Sequence, residues 1–257
     1  MPSLRSYAAV ALVGAQLAAG ANIFGPKECP ADGEISCQGS SDDTCCFNEP
    51  GGLLLLTQFW DTDPVTGPTD SWTIHGLWPD NCDGTYESNC DPSREYSNIS
   101  AIIEASGETE LLDDLSTFWK DYKGDDESFW AHEWNKHGTC ISTLEPDCYT
   151  DYAPQEEVVD YFRKSVELFK GLDSYNILAN ASIVPDSSKT YTFEEIQEAL
   201  SSAHGQEVTI NCDGDNLNEL WIFFNVQGSV QTGKWIPAAP GGAGSSCPDS
   251  GIKYLPK

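Results

Sequence analysis

Phe129-Trp-Ala-His-Glu-Trp-Asn-Lys-His-Gly-Thr-Cys140 is the stretch around which the rest of this 257-residue chain is organised. It holds two of the four histidines, together with a carboxylate, a lysine and a cysteine. If residues 128–136 are helical, a rotation of about 100° per residue places four polar side chains within an arc of about 140°. These are His132, Glu133, Lys136 and His137. We therefore expect one functional helix face.

Aromatic residues in the same stretch predict how the helix is held. Phe129, Trp130 and Trp134 can pack it into the body of the protein, which would keep the functional face rigid. Gly138 follows directly after the functional residues, and a glycine in that place favours the end of a helix. We expect the helix to stop at Gly138.

The first twenty residues predict a secretory signal peptide. Arg5 precedes an uncharged apolar run at residues 7–17, and small residues follow at 18–21. A membrane anchor is the alternative, but the run is shorter than the roughly 20 apolar residues that span a bilayer. We exclude residues 1–20 from the fold and expect a secreted chain, with an acidic vacuole as the alternative destination.

The cysteine count fits that route, because an even set pairs as disulfides in an oxidising compartment. Metal binding is the alternative, but there is no C-x-x-C spacing and histidines are few. Five disulfides are expected, with adjacent Cys45 and Cys46 bonded to different partners, and the pairing is otherwise open. The sequons at Asn98 and Asn180 are candidate glycosylation sites.

Acidic residues dominate the charge. There are 13 lysines and arginines against 41 aspartates and glutamates, which gives a net charge of −28 and a pI of about 4.1. Such a surface repels a polyanion at neutral pH. It indicates either acidity used for solubility or an enzyme meant for acidic surroundings, where many carboxylates are protonated.

Periodicity and turn residues predict one α+β domain, with helices packed on a central antiparallel β-sheet. Strands are expected at residues 53–60, 72–78, 207–212 and 219–227, and loop is expected after Trp235. Helices are expected at 98–105, 109–122, 128–136 and 154–172, the last with Pro154 in its first turn. A further helix should open at the capping box of Thr192 and Glu195 and end near Gly205.

A third histidine lies in a second stretch, Ser71-Trp-Thr-Ile-His-Gly-Leu-Trp-Pro-Asp80. On a strand, His75 lies on the face opposite to Ile74 and can therefore point out of the core into a cleft. A lone histidine is more often structural, and His204 is interpreted in that way. The clustering of the other three in aromatic-flanked motifs favours function.

Residues 72–79 and 129–140 resemble the two active-site segments of the ribonuclease T2 family, the secreted acid ribonucleases. Both segments match the family pattern, in its order and approximate spacing. The similarity extends to the leucine-rich strand that ends in Gln58, to adjacent Cys45 and Cys46, and to Cys247 with the proline after it. It covers nearly all of residues 21–257, is closest to fungal members, and implies a catalytic domain of that type.

The resemblance implies an endoribonuclease that cleaves single-stranded RNA through attack of the 2′-hydroxyl on the adjacent phosphate. A 2′,3′-cyclic phosphate would form first and a 3′-phosphate end afterwards. By resemblance, His137 is the base and His75 is the acid. Lys136 and His132 would bind the phosphate and stabilise its developing charge, and Glu133 would hold or tune that cluster. Imidazoles, with an ordinary pKa of about 6.5, suit proton transfer in weakly acidic water.

The same resemblance assigns residues to the bases of the substrate. Trp78, Asp80 and Tyr86 match one base site, and Gln58 and Phe129 would contribute to a second. Core packing is the alternative for Trp78 and Phe129. Because an aromatic face stacks on any base, low base specificity is expected.

RNA is the expected partner, and DNA should not be cut because it lacks the 2′-hydroxyl. No metal or other cofactor is expected, nor any membrane, and the protein should be a monomer. Binding of RNA to so acidic a chain should be poor at neutral pH, while His75 and His132 must be protonated. We expect activity to peak at roughly pH 4 to 6.

The resemblance also implies a disulfide pattern. The pairs are Cys29 with Cys46, Cys37 with Cys82, Cys45 with Cys148, Cys90 with Cys140, and Cys212 with Cys247. The bridge at Cys140 would fix the end of the helix that carries His137, so early loss of activity on reduction is expected.

Two other functions are compatible with parts of the sequence. His132-Glu133 is similar to the start of the zinc motif H-E-x-x-H, but the next histidine is five residues on, and Lys136 occupies the required position. A secreted binding or toxin-like glycoprotein with the same fold is the second alternative. Intact catalytic residues argue against it.

Overall fold

A computed structural model of the protein describes residues 25–242 and 244–257. The expected signal peptide lies outside the described residues, and the domain boundary near residue 20 stays a prediction.

A five-stranded antiparallel sheet forms the centre of the fold. The strands of the chain are β1 (Gly25–Pro26), β2 (Leu53–Phe59), β3 (Thr73–Asp80), β4 (Tyr149–Thr150), β5 (Tyr191–Thr192), β6 (Thr209–Asp213), β7 (Asn216–Gln227), β8 (Lys234–Ala238) and β9 (Ser250–Ile252). The central order is β3-β2-β7-β6, and β8 pairs with the far end of β7. β1 pairs with β4 and β5 with β9 in small separate ladders.

Helices cover one face of this sheet. They are α1 (Ile99–Ala105), α2 (Thr109–Phe118), α3 (Asp126–Lys136), α4 (Glu156–Leu172), α5 (Ser174–Asn180) and α6 (Phe193–His204). Together with the five disulfides described below, this arrangement confirms the expected α+β fold with a central antiparallel sheet.

β2 is apolar without alternation because both of its faces are covered. Leu54 and Leu56 lie in the large core beneath the helices. Leu53 and Leu55 belong to a smaller cluster on the opposite face, with Phe223 among its members. Burial on two sides makes β2 the rigid reference for its neighbours β3 and β7.

The ladder between β2 and β3 contains an irregularity at the candidate acid. Thr57 pairs with Gly76 and Gln58 pairs with Ile74, so His75 is the extra residue of a β-bulge. Bulges bend a strand and redirect a side chain. This explains why His75 is partly exposed while Ile74 and Gly76 on either side of it are buried.

α3 is anchored through its tryptophans, as expected. The indole N–H of Trp130 donates to the carbonyl of Trp119 at 2.8 Å, and that of Trp134 donates to the carbonyl of Arg94 at 2.7 Å. Asp125 caps the first turn by accepting from the backbone N–H of Ser128. The helix therefore has a fixed rotation about its axis, which decides which side chains reach the cleft.

The end of α3 differs from the expectation for Gly138. The helix ends at Lys136, and residues 138–140 continue as a 3₁₀ turn, so Gly138 does not act as a left-handed stop. A Cβ atom at Gly138 would lie 2.3 Å from the Trp134 ring. Glycine is required there for close packing and not for its backbone freedom.

Five disulfides join distant parts of the chain. They are Cys29–Cys46, Cys37–Cys82, Cys45–Cys148, Cys90–Cys140 and Cys212–Cys247, the pairs that the resemblance implied. The segment before Cys90 adds a hydrogen bond from the backbone N–H of Asn89 to the carbonyl of Lys136 at 3.0 Å. The end of α3 is thus held covalently and by backbone contacts.

Two helix boundaries were wrong. α2 ends at Phe118 and not at residue 122, because the Asp121 carboxylate accepts the backbone N–H groups of Lys123 and Asp125 and forms a competing turn. Pro154 precedes α4 instead of lying in its first turn, since the left-handed backbone of Gln155 (φ 68°) separates them.

Several elements were missed, namely the short strands β1, β4, β5 and β9 and the longer elements β8 and α5. β8 forms where loop was expected, because Pro237 is accommodated on a strand that pairs with β7 alone. α5 follows α4 after a bend at Asp173, whose side chain caps the new helix by accepting from the backbone N–H of Asn176.

In the part of the chain that the structure describes, no helix has the length and apolar character needed to cross a bilayer.

Candidate active site

A cleft of about 670 Å³ opens between the sheet and the N-terminal half of α3. β2 contributes Phe59 and β3 contributes His75. The opposite wall is formed by residues 120–123 and by Phe129 and His132 of α3. The two predicted motifs, about 60 residues apart in sequence, therefore meet at one place.

His75 is held on several sides. Its ring stacks on Phe59 with centroids 4.0 Å apart and meets the Trp78 ring edge-on at 4.7 Å. Nδ1 lies 2.7 Å from a carboxylate oxygen of Glu219, and Nε2 lies 3.8 Å from Glu133 Oε1. The side chain is 20 % exposed, so His75 is ordered by its neighbours while one side stays open to the cleft.

Glu133 lies behind His75 with only 1 % of its side chain exposed. Burial raises the pKa of its carboxyl to about 7, against the opposing influence of His75 and of the indole N–H of Trp78, which donates to Oε2 at 2.8 Å. Gly76 allows Glu133 and Trp78 to form this hydrogen bond, because a Cβ atom at position 76 would lie 2.0 Å from Glu133 Oε2. In acidic solution the group is a neutral carboxylic acid.

His137 occupies the opposite kind of environment. It is the residue directly after α3, is 4 % exposed, and is stacked under Trp78 with centroids 4.8 Å apart. Its Nε2 has no hydrogen-bond partner among the described residues. Burial, together with the positive charges of Lys136 and His75, lowers the pKa of His137 to about 2. The ring is therefore neutral in weak acid and can accept a proton.

The functional residues expected on one face of α3 differ in exposure, from the rim of the cleft to its floor. His132 is 56 % exposed at the rim, and its Nε2 lies 3.9 Å from Glu133 Oε1. Burial first, and then the charge of Lys136, lowers the pKa of His132. Lys136 is half-buried between rim and floor. The cluster therefore has its more exposed basic groups, His132 and Lys136, on the outside and its buried groups, Glu133 and His137, on the inside.

The three residues assigned to the first base site come together. Trp78 and Asp80 lie two residues apart on β3, and a turn at residues 81–85 returns Tyr86 to a bridge with Asp80. Tyr86 is 62 % exposed, and burial raises the pKa of Asp80 to about 7. Trp78 also contacts Glu133, His75 and His137, so it connects this surface to the catalytic cluster.

The two residues assigned to the second base site differ in position. Phe129 lines the cleft, with its ring 5.8 Å from that of His75. Gln58 is fully buried, and neither polar atom of its side chain has a hydrogen-bond partner in the structure. Tyr122 and Lys123, which the sequence analysis did not single out, are exposed on the wall near Phe129.

Glu219 is the other residue of this site that the sequence analysis missed. It is 144 residues from His75 in sequence and was interpreted only as the start of a strand. A charged residue opening an apolar strand was the one available signal, and it is common at strand ends.

The remaining assigned residues lie elsewhere. Asn98 and Asn180 are both exposed, at the start of α1 and the end of α5. His204 is buried, with Nε2 at 2.9 Å from the Phe223 carbonyl, which agrees with a structural role. Over residues 25–242 and 244–257, no three His, Cys, Asp or Glu side chains are grouped so as to hold a metal ion.

Comparison with known sequences gives a consistent result. The profile of the Ribonuclease T2 family matches residues 51–233. The chain is 58 % identical to "Ribonuclease T2" of Aspergillus oryzae over 255 residues, covering 96 % of this chain and 90 % of the relative. It is also 58 % identical to "Ribonuclease Trv" of Hypocrea rufa over 233 residues, covering 90 % and 99 %.

A solved structure of similar sequence shares the fold. The crystal structure of Actibind, described as a T2 ribonuclease, superposes with a TM-score of 0.88 at 54 % identity, covering 90 % of this chain and 99 % of that one. The described cleft therefore belongs to a fold already seen in a protein of similar sequence.

Proposed function

The chain belongs to the ribonuclease T2 family and is an endoribonuclease, and we propose that it cleaves single-stranded RNA by transphosphorylation between His75 and His137. The observation that carries this proposal is the contrast between the two imidazoles. One lies against the Glu219 carboxylate at the cleft, and the other is buried, neutral and without a hydrogen-bond partner on Nε2 among the described residues. Acid and base are thereby set apart by environment.

In the first step, neutral His137 accepts the proton of the 2′-hydroxyl while O2′ forms a bond to phosphorus. The bond from phosphorus to O5′ breaks, and protonated His75 gives its proton to that leaving oxygen. The product is a 2′,3′-cyclic phosphate. Water then opens it with the two roles reversed, which leaves a 3′-phosphate end.

The phosphate is bound by groups of α3. Lys136 and His132 supply positive charge for the developing phosphorane. Because burial raises the pKa of Glu133 to about 7, its carboxyl is neutral in acid and adds no repulsion at the phosphate. Oε1 faces both His75 and His132, a position from which a carboxylic acid can donate to a phosphate oxygen.

The nucleotide on the 5′ side is proposed to stack between Trp78 and Tyr86, with Asp80 bonding to the base edge. The following base would lie in the cleft against Phe129. Aromatic stacking supports binding of every base, so specificity is low. Gln58 would have to act from a buried position, and its unpartnered amide supports a role in which an incoming group satisfies it.

Acid surroundings are part of the proposal. At neutral pH the chain carries a net charge of −28, which opposes binding of RNA. An optimum at roughly pH 4 to 6 leaves His137 neutral, because burial lowers its pKa to about 2, and meets the need of the mechanism for an acid at His75. We propose a monomer that acts without metal, is exported through its leader to the medium or to an acidic vacuole, and carries glycans at Asn98 and Asn180.

The test is digestion of a mixed-sequence RNA and of DNA of the same sequence, at pH 5 with EDTA, with the ends identified by mass. Cyclic phosphate and 3′-phosphate ends from RNA alone are expected. Cleavage of DNA, 5′-phosphate ends or loss of activity with EDTA would contradict the mechanism. A His75→Ala protein under the same conditions controls for a contaminating ribonuclease.

A further inference from the structure

Glu219 is the closest charged neighbour of His75. Its Oε1 lies 2.7 Å from Nδ1, and only 14 % of its side chain is exposed. β7 carries Glu219 opposite Phe59 of β2, and Phe59 is the residue on which the His75 ring stacks. The hydrogen bond and the stacked ring thus reach His75 from two adjacent strands, and together they define the position of an imidazole that a β-bulge has released from the ladder.

The contact decides which nitrogen faces the substrate. A carboxylate can only accept, so Nδ1 carries the proton that it donates to Glu219. Nε2 is then the nitrogen left for the reaction, and it points toward Glu133 at 3.8 Å, where α3 gathers the phosphate-binding groups. A histidine that donates from Nδ1 and is charged has its second proton on Nε2, ready for a leaving oxygen.

The charge of Glu219 is also the one suited to keep His75 protonated. The titratable groups facing His75 are Glu219 from β7, Glu133 and His132 from α3, and His137 directly after α3. His132 opposes a second positive charge. Burial raises the pKa of Glu133 to about 7, so that carboxyl is neutral in acid. Glu219 is also the nearer of the two carboxyl groups, at 2.7 Å from Nδ1 against 3.8 Å between Nε2 and Glu133.

We propose that Glu219 is a positioning residue, which holds His75 with its Nδ1 proton and in the charged form that protonates the leaving 5′-oxygen. This inference rests on the proposed function, in which His75 is the acid. It extends that function by a residue outside both sequence motifs.

The test uses two substrates that differ in the need for an acid. A dinucleoside phosphate has a poor alkoxide leaving group, whereas a nucleoside 3′-(4-nitrophenyl phosphate) releases a phenolate that needs no proton. Glu219→Gln should lower kcat on the dinucleoside phosphate by about 10- to 100-fold, with little change in KM. It should leave the aryl ester nearly unaffected. The alkaline limb of the pH profile should move to lower pH.

Two further variants make the result decisive. Glu219→Asp keeps the charge and should retain more of the wild-type alkaline limb than Glu219→Gln. Glu110→Gln removes the same charge from the exposed face of α2 and should leave both activities unchanged. Thermal unfolding of each variant shows that it is folded at the assay temperature.

Equal loss on the two substrates, or no loss on the dinucleoside phosphate, would overturn the role of Glu219. Failure of the proposed function gives a different result. His75→Ala would then be impaired equally on both substrates, which would mean that His75 is not the acid at all.

Discussion

His75 and His137 are the same residue type in two opposite settings. His75 lies on a strand at the cleft, 20 % exposed, with the Glu219 carboxylate on Nδ1 and the Glu133 carboxyl group near Nε2. His137 lies at the end of α3, 4 % exposed, covered by Trp78 and with Nε2 unpartnered. Carboxylates favour the charged ring, and burial favours the neutral one. The difference teaches that the proposed roles of acid and base follow from the surroundings and not from the imidazoles themselves.

Replacing each histidine separately is the strongest test of this contrast. His75→Ala and His137→Ala should each lower kcat on a dinucleoside phosphate by about 10²- to 10⁴-fold, the usual contribution of a general acid or base. On the 4-nitrophenyl ester, the kcat of His75→Ala should return toward the wild-type value, and the kcat of His137→Ala should stay low. Recovery of both, or of neither, would show that the two roles are not divided as proposed.

Removing each of two disulfides in turn distinguishes the local support of His137 from the stability of the whole fold. Replacing Cys90 and Cys140 together by Ala should cost about 2 to 5 kcal/mol of unfolding free energy, and should lower the activity of the folded protein, because the end of α3 loses its tether. Replacing Cys212 and Cys247 should cost a similar free energy with activity retained.

Urea unfolding and specific activity, measured on the same samples below the unfolding temperature, check this difference. Equal loss of activity in both double variants would mean that the bridge at Cys140 has no particular role in holding His137.

Glu133, between the two rings, gives a pH-dependent test. Its pKa is raised by burial from 4.5 to about 7, so folding favours the protonated carboxyl. The unfolded chain releases its proton first, and the stabilising contribution present below pH 4.5 is lost as pH rises to 7. Relative to Glu133→Gln, the wild type should lose roughly 1 to 3 kcal/mol over that interval.

Denaturant unfolding of both proteins at several pH values between 4 and 7.5 measures the gap. Glu110→Gln is the matched control for loss of a surface carboxylate. Parallel curves for wild type and Glu133→Gln would show that Glu133 is ionised in the folded protein.

Substitution of Trp78, whose ring covers His137, gives the smallest expected effect. Trp78→Ala should admit water to the ring, so the pKa of His137 should rise and the acid limb of the kcat profile should move up by about one pH unit. Trp78→Phe also loses the hydrogen bond to Glu133 but keeps a ring over His137, and it should preserve the limb. Profiles from pH 2 to 7 on a dinucleoside phosphate distinguish them, and an unmoved limb in Trp78→Ala would show that Trp78 does not shield the base.

Much of the fold was predictable because its signals are local. The capping box at Thr192 and Glu195 forms as expected, with α6 ending before Gly205 in a left-handed conformation (φ 90°). The apolar stripe of α4 and the leucines of β2 are buried as their patterns indicated. β8 and α5 were missed, because pairing with β7 and a side-chain cap at Asp173 override a loop-like composition.

The sequence by itself determined which chemical groups are available: two motifs with three histidines, a glutamate and a lysine, and cysteines for five bridges. Only the tertiary structure decided what those groups do. The burial that lowers the pKa of His137, and the approach of Glu219 across 144 residues, depend on contacts between distant parts of the chain. The residues adjacent in sequence do not show how deeply a group is buried or which partner it meets on another strand. The proposed division between acid and base therefore depends on the fold.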